Sequence, residues 1–328
     1  MDPDLVPEEV PGTLPEAPAR APDLKAPPLA GLEVIRRALD PRSCAADIEG
    51  VVRSDVALSQ RLLRIANSAF YRRGYPIQTV REAVVHLGFH ELRRVALTTS
   101  VQDFMQGGFA PGFDRHGFFV HCLAVASLSQ ALSETLGHED PPVAFAAGLL
   151  HDIGKNFFDQ HYPEPFGKAL RWAASGGTSL VEAERRVFTR DVHPRLRDHA
   201  AMGRWALQAW ELPATFIEVA GRHHDEPGSG ADFLVQVVQC ADVLAQNLGL
   251  GASGNGAAPG WHDEFSALGL SALDLVDAIG EGVKTAQRMG EVAGETLDIS
   301  GVELFCAGVV AEPPDADQDE DDLRVGHG

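Results

Sequence analysis

The stretch PVAFAAGLLHDIGK, from Pro142 to Lys155, decides how this chain is read. Pro142 suits the first turn of a helix, where a missing N–H costs nothing. The apolar run Ala144–Leu150 that follows is too short for a membrane span, which needs ~18 or more apolar residues. It fits a buried helix that closes on two adjacent polar groups, His151 and Asp152. Adjacent residues do not share a face inside a regular helix. At a helix terminus, however, the backbone can turn both inward, and both can then reach one ion. A lone histidine on an apolar helix is ordinarily a satisfied core or surface residue. A buried polar pair is costly unless partnered. The arrangement recurs where FIEVAGR, Phe216–Arg222, runs into His223 and His224.

On either side of this stretch the apolar spacing is helical. Leu32, Val34, Ile35 and Leu39 predict a first helix, Ala45–Val52 a second, and Val56–Phe70 a third with a stripe of Leu58, Leu62, Leu63, Ile65 and Ala66. Thr79 with Glu82 forms a capping box that opens a helix stopped by Gly88, and Leu92–Phe104 follows. Pro111, Gly112 and Phe113 mark a break. Phe118–Leu136 predicts a long amphipathic helix with Ala124, Val125, Leu128 and Leu132 inward. Downstream, Ser179 with Glu182 opens a helix to about Phe188, and His199 stands near the start of one carrying Trp205 and Trp210. Pro213 fits the first position of a helix that ends in His223–His224. Ala231–Leu248 carries Asp242, residues 249–260 form a Gly/Ala/Ser-rich loop, and Leu270–Val292 forms a last helical stretch. No strand alternation or internal repeat interrupts this pattern, so the predicted fold class is all-α. The expected organisation is an N-terminal helical subdomain over residues 29–110, a helical bundle over 111–250, and a C-terminal loop and helical extension over 251–311. Residues 1–28 hold eight prolines, and residues 312–328 are strongly acidic; such segments cannot bury enough surface to offset chain entropy, so both read as disordered.

The chain has 328 residues, 45% of them hydrophobic, and a net charge of -20. Nucleic-acid binding needs a basic footprint and is not expected. Half of the charge sits in the tails, -4 over residues 1–28 and -6 over 311–328, so no acidic recognition surface on the fold follows. Cys44, Cys122, Cys240 and Cys306 lie far apart with no CxxC pair and read as reduced, mostly buried thiols. The acidic, Pro-rich N-terminus is the opposite of a secretory leader. A cytoplasmic location, away from membranes, is the expectation.

Seven residues stand out: His121, His151, Asp152, His199, His223, His224 and Asp242. Each lies on or at the end of a predicted helix. Imidazole and carboxylate together suit Fe, Mn or Zn, and helical bundles build metal sites from facing helices. Lys155 could contact a phosphate as a point charge or simply end a helix. Trp205 and Trp210 read as packing residues. The other eight histidines lack a consistent partner pattern.

HDIGK, His151–Lys155, is the signature of the HD superfamily of phosphohydrolases. The spacing more specifically resembles the HDOD (HD-related output domain) family. The run DVALSQRLLRIANSAFYRRGYPIQTVREAVVHLGFHELRRVAL, Asp55–Leu97, is similar to that family's first half. HCLAVA follows at His121, DHAAMGRWALQAWELP at Asp198–Pro213, RHHDEP at Arg222 and CADVLAQ at Cys240. The resemblance covers roughly residues 28–290. It implies an HD-type bundle in which His121, His151, Asp152 and Asp242 would hold one ion. By likeness to the HD-GYP phosphodiesterases, His199, His223 and His224 would complete a second site, with Asp152 able to bridge. Asn67–Ser68 is a further HDOD feature, and physically it reads as a helix cap.

Two departures matter. DEPGSGAD follows His224 in place of a GYP motif, which argues against cyclic-di-GMP hydrolysis. Gly117 stands where some relatives carry a glutamate one turn before the first histidine, which argues against a third metal. The resemblance therefore implies a signalling or regulatory module, non-enzymatic, that binds a protein partner or a small phosphorylated ligand. The alternative is a metal-dependent phosphohydrolase acting on a nucleotide or phosphate ester, with Lys155 against the substrate. A purely structural metal protein is a third reading.

Overall fold

The computed structural model describes residues 29–311, apart from 41, 73, 106, 139, 177, 192–195, 227–231 and 256–267. The tails 1–28 and 312–328, and their expected disorder, lie outside the described residues. Every regular element among the described residues is an α-helix.

Five helices form the N-terminal part: α1 Leu29–Leu39, α2 Ala45–Ser54, α3 Val56–Ala66, α4 Val80–Leu87 and α5 Phe89–Met105. The Thr79–Glu82 capping box is present and starts α4. Helix α3 stops at Ala66 rather than Phe70 because Asn67 leaves the helix. Its Nδ2 donates to the Leu63 and Ile77 carbonyls and its Oδ1 accepts from Ile77 N, all at 2.8 Å. Asn67 thus caps α3 and pins the following loop.

The remaining helices are α6 Arg115–Thr135, α7 Pro141–Leu150, α8 Ile153–His161, α9 Pro163–Ala174, α10 Leu180–Asp191, α11 His199–Ala209, α12 Ala214–Arg222, α13 Phe233–Asn247, α14 Ala272–Ala293 and α15 Val302–Ala311. Helix α6 is the axis. It is buried all round from Gly117 to Ser133, not along one stripe as its spacing predicts. The reason is that α7, α13 and α14 pack against it from different sides. Gly148 lets α7 come close, since a Cβ there would lie 2.8 Å from Ala126 Cα. The buried Ser127 hydroxyl returns to the helix, donating to the Leu123 carbonyl at 2.9 Å.

Helices α8, α9 and α15 are absent from the sequence expectation. The stripe Phe166, Ala169, Leu170, Ala173 of α9 has plain helical spacing, but Pro163, Pro165 and Gly167 mask it. Helix α8 is short and begins directly after the His–Asp pair. Two caps differ in detail. Pro213 is the cap of α12 rather than its first residue. At α10, Ser179 Oγ accepts from Glu182 N, but the Glu182 carboxylate takes the Thr178 hydroxyl.

Helix α8 also fastens the end of α5 and the link that follows it to the rest of the bundle. Asn156 and Gln160 donate to the Phe104 carbonyl at 3.3 and 3.0 Å. Asp159 takes both guanidinium arms of Arg115 at 2.6 Å and the Ala110 N–H at 2.8 Å. Trp205 and Trp210 are packing residues, both buried, and Trp210 meets Phe104 edge-on. None of the four cysteines forms a disulfide; Cys122 and Cys240 are buried, Cys306 is half-buried and Cys44 is exposed.

Candidate metal centre

The helix ends place the site. His151 is the last cap of α7 and Asp152 the first of α8, so a two-residue corner turns both side chains inward. His223 caps the end of α12 and His224 follows it. His199 opens α11, His121 lies mid-way along α6, and Asp242 lies on α13. Gly154 makes the corner tight: a Cβ there would sit 1.9 Å from the His199 carbonyl oxygen. Only glycine lets α8 start against α11.

All seven candidate ligands converge, and Asp152 is at their centre. Its Oδ1 lies 3.1 Å from His199 Nε2 and 3.3 Å from His223 Nε2. Its Oδ2 lies 3.3 Å from His151 Nε2 and 4.0 Å from His121 Nε2. Asp242 Oδ1 approaches His121 Nε2 at 3.0 Å and His151 Nε2 at 3.9 Å. His224 Nε2 is 2.8 Å from His199 Nε2. Six of the residues fall into two groups, His121–His151–Asp152 and Asp152–His199–His223–His224, joined by the one carboxylate, and Asp242 stands beside the first through His121. His224 is half-buried and the rest are buried. Lys155 is buried as well, donating to Asp152 Oδ2 at 2.5 Å and to the Ser253 carbonyl at 3.0 Å.

Burial and charge oppose each other here. Burial raises the Asp152 carboxyl, but Lys155, His151 and His199 outweigh it and hold the group well below its ordinary range. Burial likewise raises Asp242, and His121 more than reverses this. Burial depresses Lys155, yet Asp152 and Asp242 keep it above its usual value. Burial depresses His199, but the Glu184 carboxylate and Asp152 bring it to about 9. His224 is driven well down, by burial first and then by His223 and His199.

A divalent metal fits this donor set. Four atoms of the cluster are buried with no hydrogen-bond partner among the described residues: His121 Nε2, His151 Nε2, His223 Nε2 and Asp152 Oδ1. Other such atoms occur elsewhere, Thr98 Oγ1 and Trp210 Nε1 among them, but these four lie together around one carboxylate, where an ion would satisfy them at once. The far ring nitrogens are already taken: His151 Nδ1 lies 2.7 Å from the Gly148 carbonyl and His223 Nδ1 3.0 Å from that of Ala220. Such contacts aim Nε2 at an ion.

Two features were not read from sequence. Glu184 on α10 is buried and lies 2.7 Å from His199 Nδ1. Its one signal was an acid on the apolar stripe of Leu180, Ala183 and Val187. The turn Leu250–Ser253 crosses α6 at the site: Ala252 N donates to the Gly117 carbonyl at 2.8 Å, and a Cβ on Gly251 would lie 2.3 Å from His121 N. The same turn covers Gly117, where a side chain would meet Ala252 and Asp114.

Known proteins agree with this architecture. A chain from Treponema pallidum (strain Nichols), of uncharacterised role, is 26% identical over 228 residues, covering 66% of this chain and 41% of that one. This chain therefore spans about two-fifths of the length of that curated relative. Among solved structures, an HDOD domain protein of unknown function from Geobacter sulfurreducens superposes with a TM-score of 0.64 at 22% identity, covering 90% of this chain and 92% of that one. A candidate signal transduction protein from Marinobacter aquaeolei VT8 gives 0.58 at 18%, covering 83% and 59%. A candidate phosphohydrolase from Shewanella amazonensis SB2B gives 0.55 at 21%, covering 87% and 91%. These likenesses concern the fold. The model of the HDOD domain matches residues 24–226, well over half of the chain. The chain belongs to the HDOD domain family.

Proposed function

We propose that this chain is a signalling or regulatory module of the cytoplasm, which binds a protein partner or a small phosphorylated ligand and does not turn over a substrate. Its His/Asp cluster is retained as a centre for Fe, Mn or Zn. The observation that carries this reading is closure. His121, His151, Asp152, His199, His223 and Asp242 are all buried, and the turn at Gly251–Ser253 lies over His121 and is tied down by Lys155. A phosphate ester approaching Asp152 from the His121 side would have to displace that turn. The fold likeness to a candidate signal transduction protein is consistent with this.

A phosphohydrolase is the second reading, favoured by the complete donor set around Asp152 and by the fold likeness to a candidate phosphohydrolase. His121, His151, Asp152 and Asp242 would hold one ion, and Asp152, His199, His223 and His224 the other. Bound ions would supply Lewis acidity toward a phosphate oxygen. Lys155 would have to leave Asp152 and Ser253 to meet the substrate.

The test is metal analysis of protein purified without chelator or affinity tag, followed by assay with added Mn or Fe. The panel comprises cyclic dinucleotides, nucleotides and a generic phosphodiester. Bound metal without turnover is expected. Metal-dependent turnover that disappears in Asp152→Ala would overturn the regulatory reading.

A further inference from the structure

Glu184 is a charged residue on an apolar helix face, fully buried among Leu180, Ala183, Val187 and Phe188. Among the described residues, both of its hydrogen bonds go to one residue. Oε2 accepts the His199 backbone N–H at 2.9 Å and lies 2.7 Å from His199 Nδ1. Oε1 has no partner. Burying a carboxylate is costly unless it is well paired, so this placement calls for a reason.

Capping is not sufficient. The start of α11 already has Asp198, whose Oδ1 accepts from Ala201 N at 2.8 Å and whose Oδ2 meets Arg185 at 2.7 Å. The contact with the ring is what Glu184 adds. An ionised carboxylate only accepts, so Nδ1 must carry the proton. In the neutral ring Nε2 is then bare, and it lies 3.1 Å from Asp152 Oδ1, beside His223 and His224. His151 and His223 are oriented by neutral backbone carbonyls. His199 is oriented by a carboxylate, which also makes the ring a more basic ligand.

We propose that Glu184 is a positioning residue for the metal centre: it sets the tautomer and ring angle of His199 and so strengthens the His199–His223–His224 half toward a divalent cation. This rests on the metal-centre reading given above.

The test uses full-length protein stripped by chelator and titrated with Zn(II) and with Mn(II), in wild type, Glu184→Leu, Glu184→Gln and Asp198→Ala. Glu184→Leu should bind about 10- to 100-fold more weakly, the usual effect of losing an outer partner of a ligating histidine. In Glu184→Gln the amide carbonyl can still accept from Nδ1–H but carries no charge, so its loss should be near the lower end, about tenfold. Asp198→Ala removes a cap of the same helix and should lower the melting temperature while leaving affinity unchanged. Wild-type affinity in Glu184→Leu, or an equal loss in Asp198→Ala, overturns the proposal. If the Leu variant does not fold, the Gln variant decides, and unchanged affinity there has the same force. Should wild type take up neither ion, the metal reading fails, and the positioning role is read separately. Histidine 15N NMR of metal-free protein at alkaline pH, with His199 signals identified by their loss in His199→Gln, should show the Nδ1–H tautomer. That tautomer should be lost in Glu184→Leu. An unchanged tautomer sinks the role of Glu184 altogether.

Discussion

Lys155 Nζ lies 2.5 Å from Asp152 Oδ2, and both side chains are only 1% exposed. The pair spans the corner from which α8 starts, and its other hydrogen bond reaches the carbonyl of Ser253, 98 residues away. The His/Asp cluster therefore contains its own cation, placed against the carboxylate that joins its two halves.

Lys155→Met tests that cation. Removing one partner of a buried pair leaves an uncompensated charge and costs about 3–5 kcal/mol. A divalent ion at Asp152 supplies positive charge, so added Zn(II) should recover part of the lost melting temperature. Thermal melts of wild type and variant, with Zn(II) and with chelator, measure this. A metal-free variant that melts with wild type would show that the pair does not support the fold.

Asp152→Ala and Asp242→Ala should differ in kind. Asp152 belongs to both groups of ligands, whereas Asp242 approaches only His121 and His151. The first substitution should empty both halves, and leave buried partners unsatisfied at a cost of about 1–3 kcal/mol. The second should spare the His199–His223–His224 half. Metal content by elemental analysis reads the difference, and equal loss in the two variants would refute the bridging role.

Gly154→Ala should damage fold and site together. The new methyl would lie 1.9 Å from the His199 carbonyl oxygen and 2.8 Å from Gly203 N, both backbone atoms that cannot swing aside. Overpacking of this kind costs about 1–3 kcal/mol. Because the displaced backbone is that of a ligand residue, metal affinity should fall too. Chemical denaturation and metal titration check the two effects, and a variant of wild-type stability and affinity would contradict the close approach.

Asn67→Ala should separate fold from site. Its side chain makes three hydrogen bonds, to Leu63 and Ile77, neither of them a candidate ligand. Leaving those groups unpaired costs about 1–3 kcal/mol. The melting temperature should drop while metal content stays at the wild-type level. A parallel fall in metal content would mean that the N-terminal helices govern the site.

Much of the fold was legible because helical order is local. The spacing of Leu58, Leu62 and Ile65, the Thr79–Glu82 box and the cap at Asn67 each act within a few residues, and each does in the structure what its spacing predicts. Four of the seven candidate ligands were legible for a related reason: His151–Asp152 and His223–His224 are adjacent pairs at helix ends, where the chain must turn, whereas the roles of His121, His199 and Asp242 came from the family resemblance. Helix α6 shows the limit. Its amphipathic spacing is real, yet neighbours on several sides bury its polar face as well.

The sequence by itself determined the all-α class, the family resemblance and the residues able to hold a metal, because those depend on side-chain chemistry and on contacts a turn or two apart. Only the tertiary structure decided that Asp152 stands between the two halves, that Lys155 turns inward to pair with it, that Glu184 orients His199, and that the turn at Gly251–Ser253 lies over His121. These contacts join residues on different helices and a distant turn. Their distances follow from how α6, α7, α8, α10 and α11 pack, and no periodicity along one segment encodes that packing.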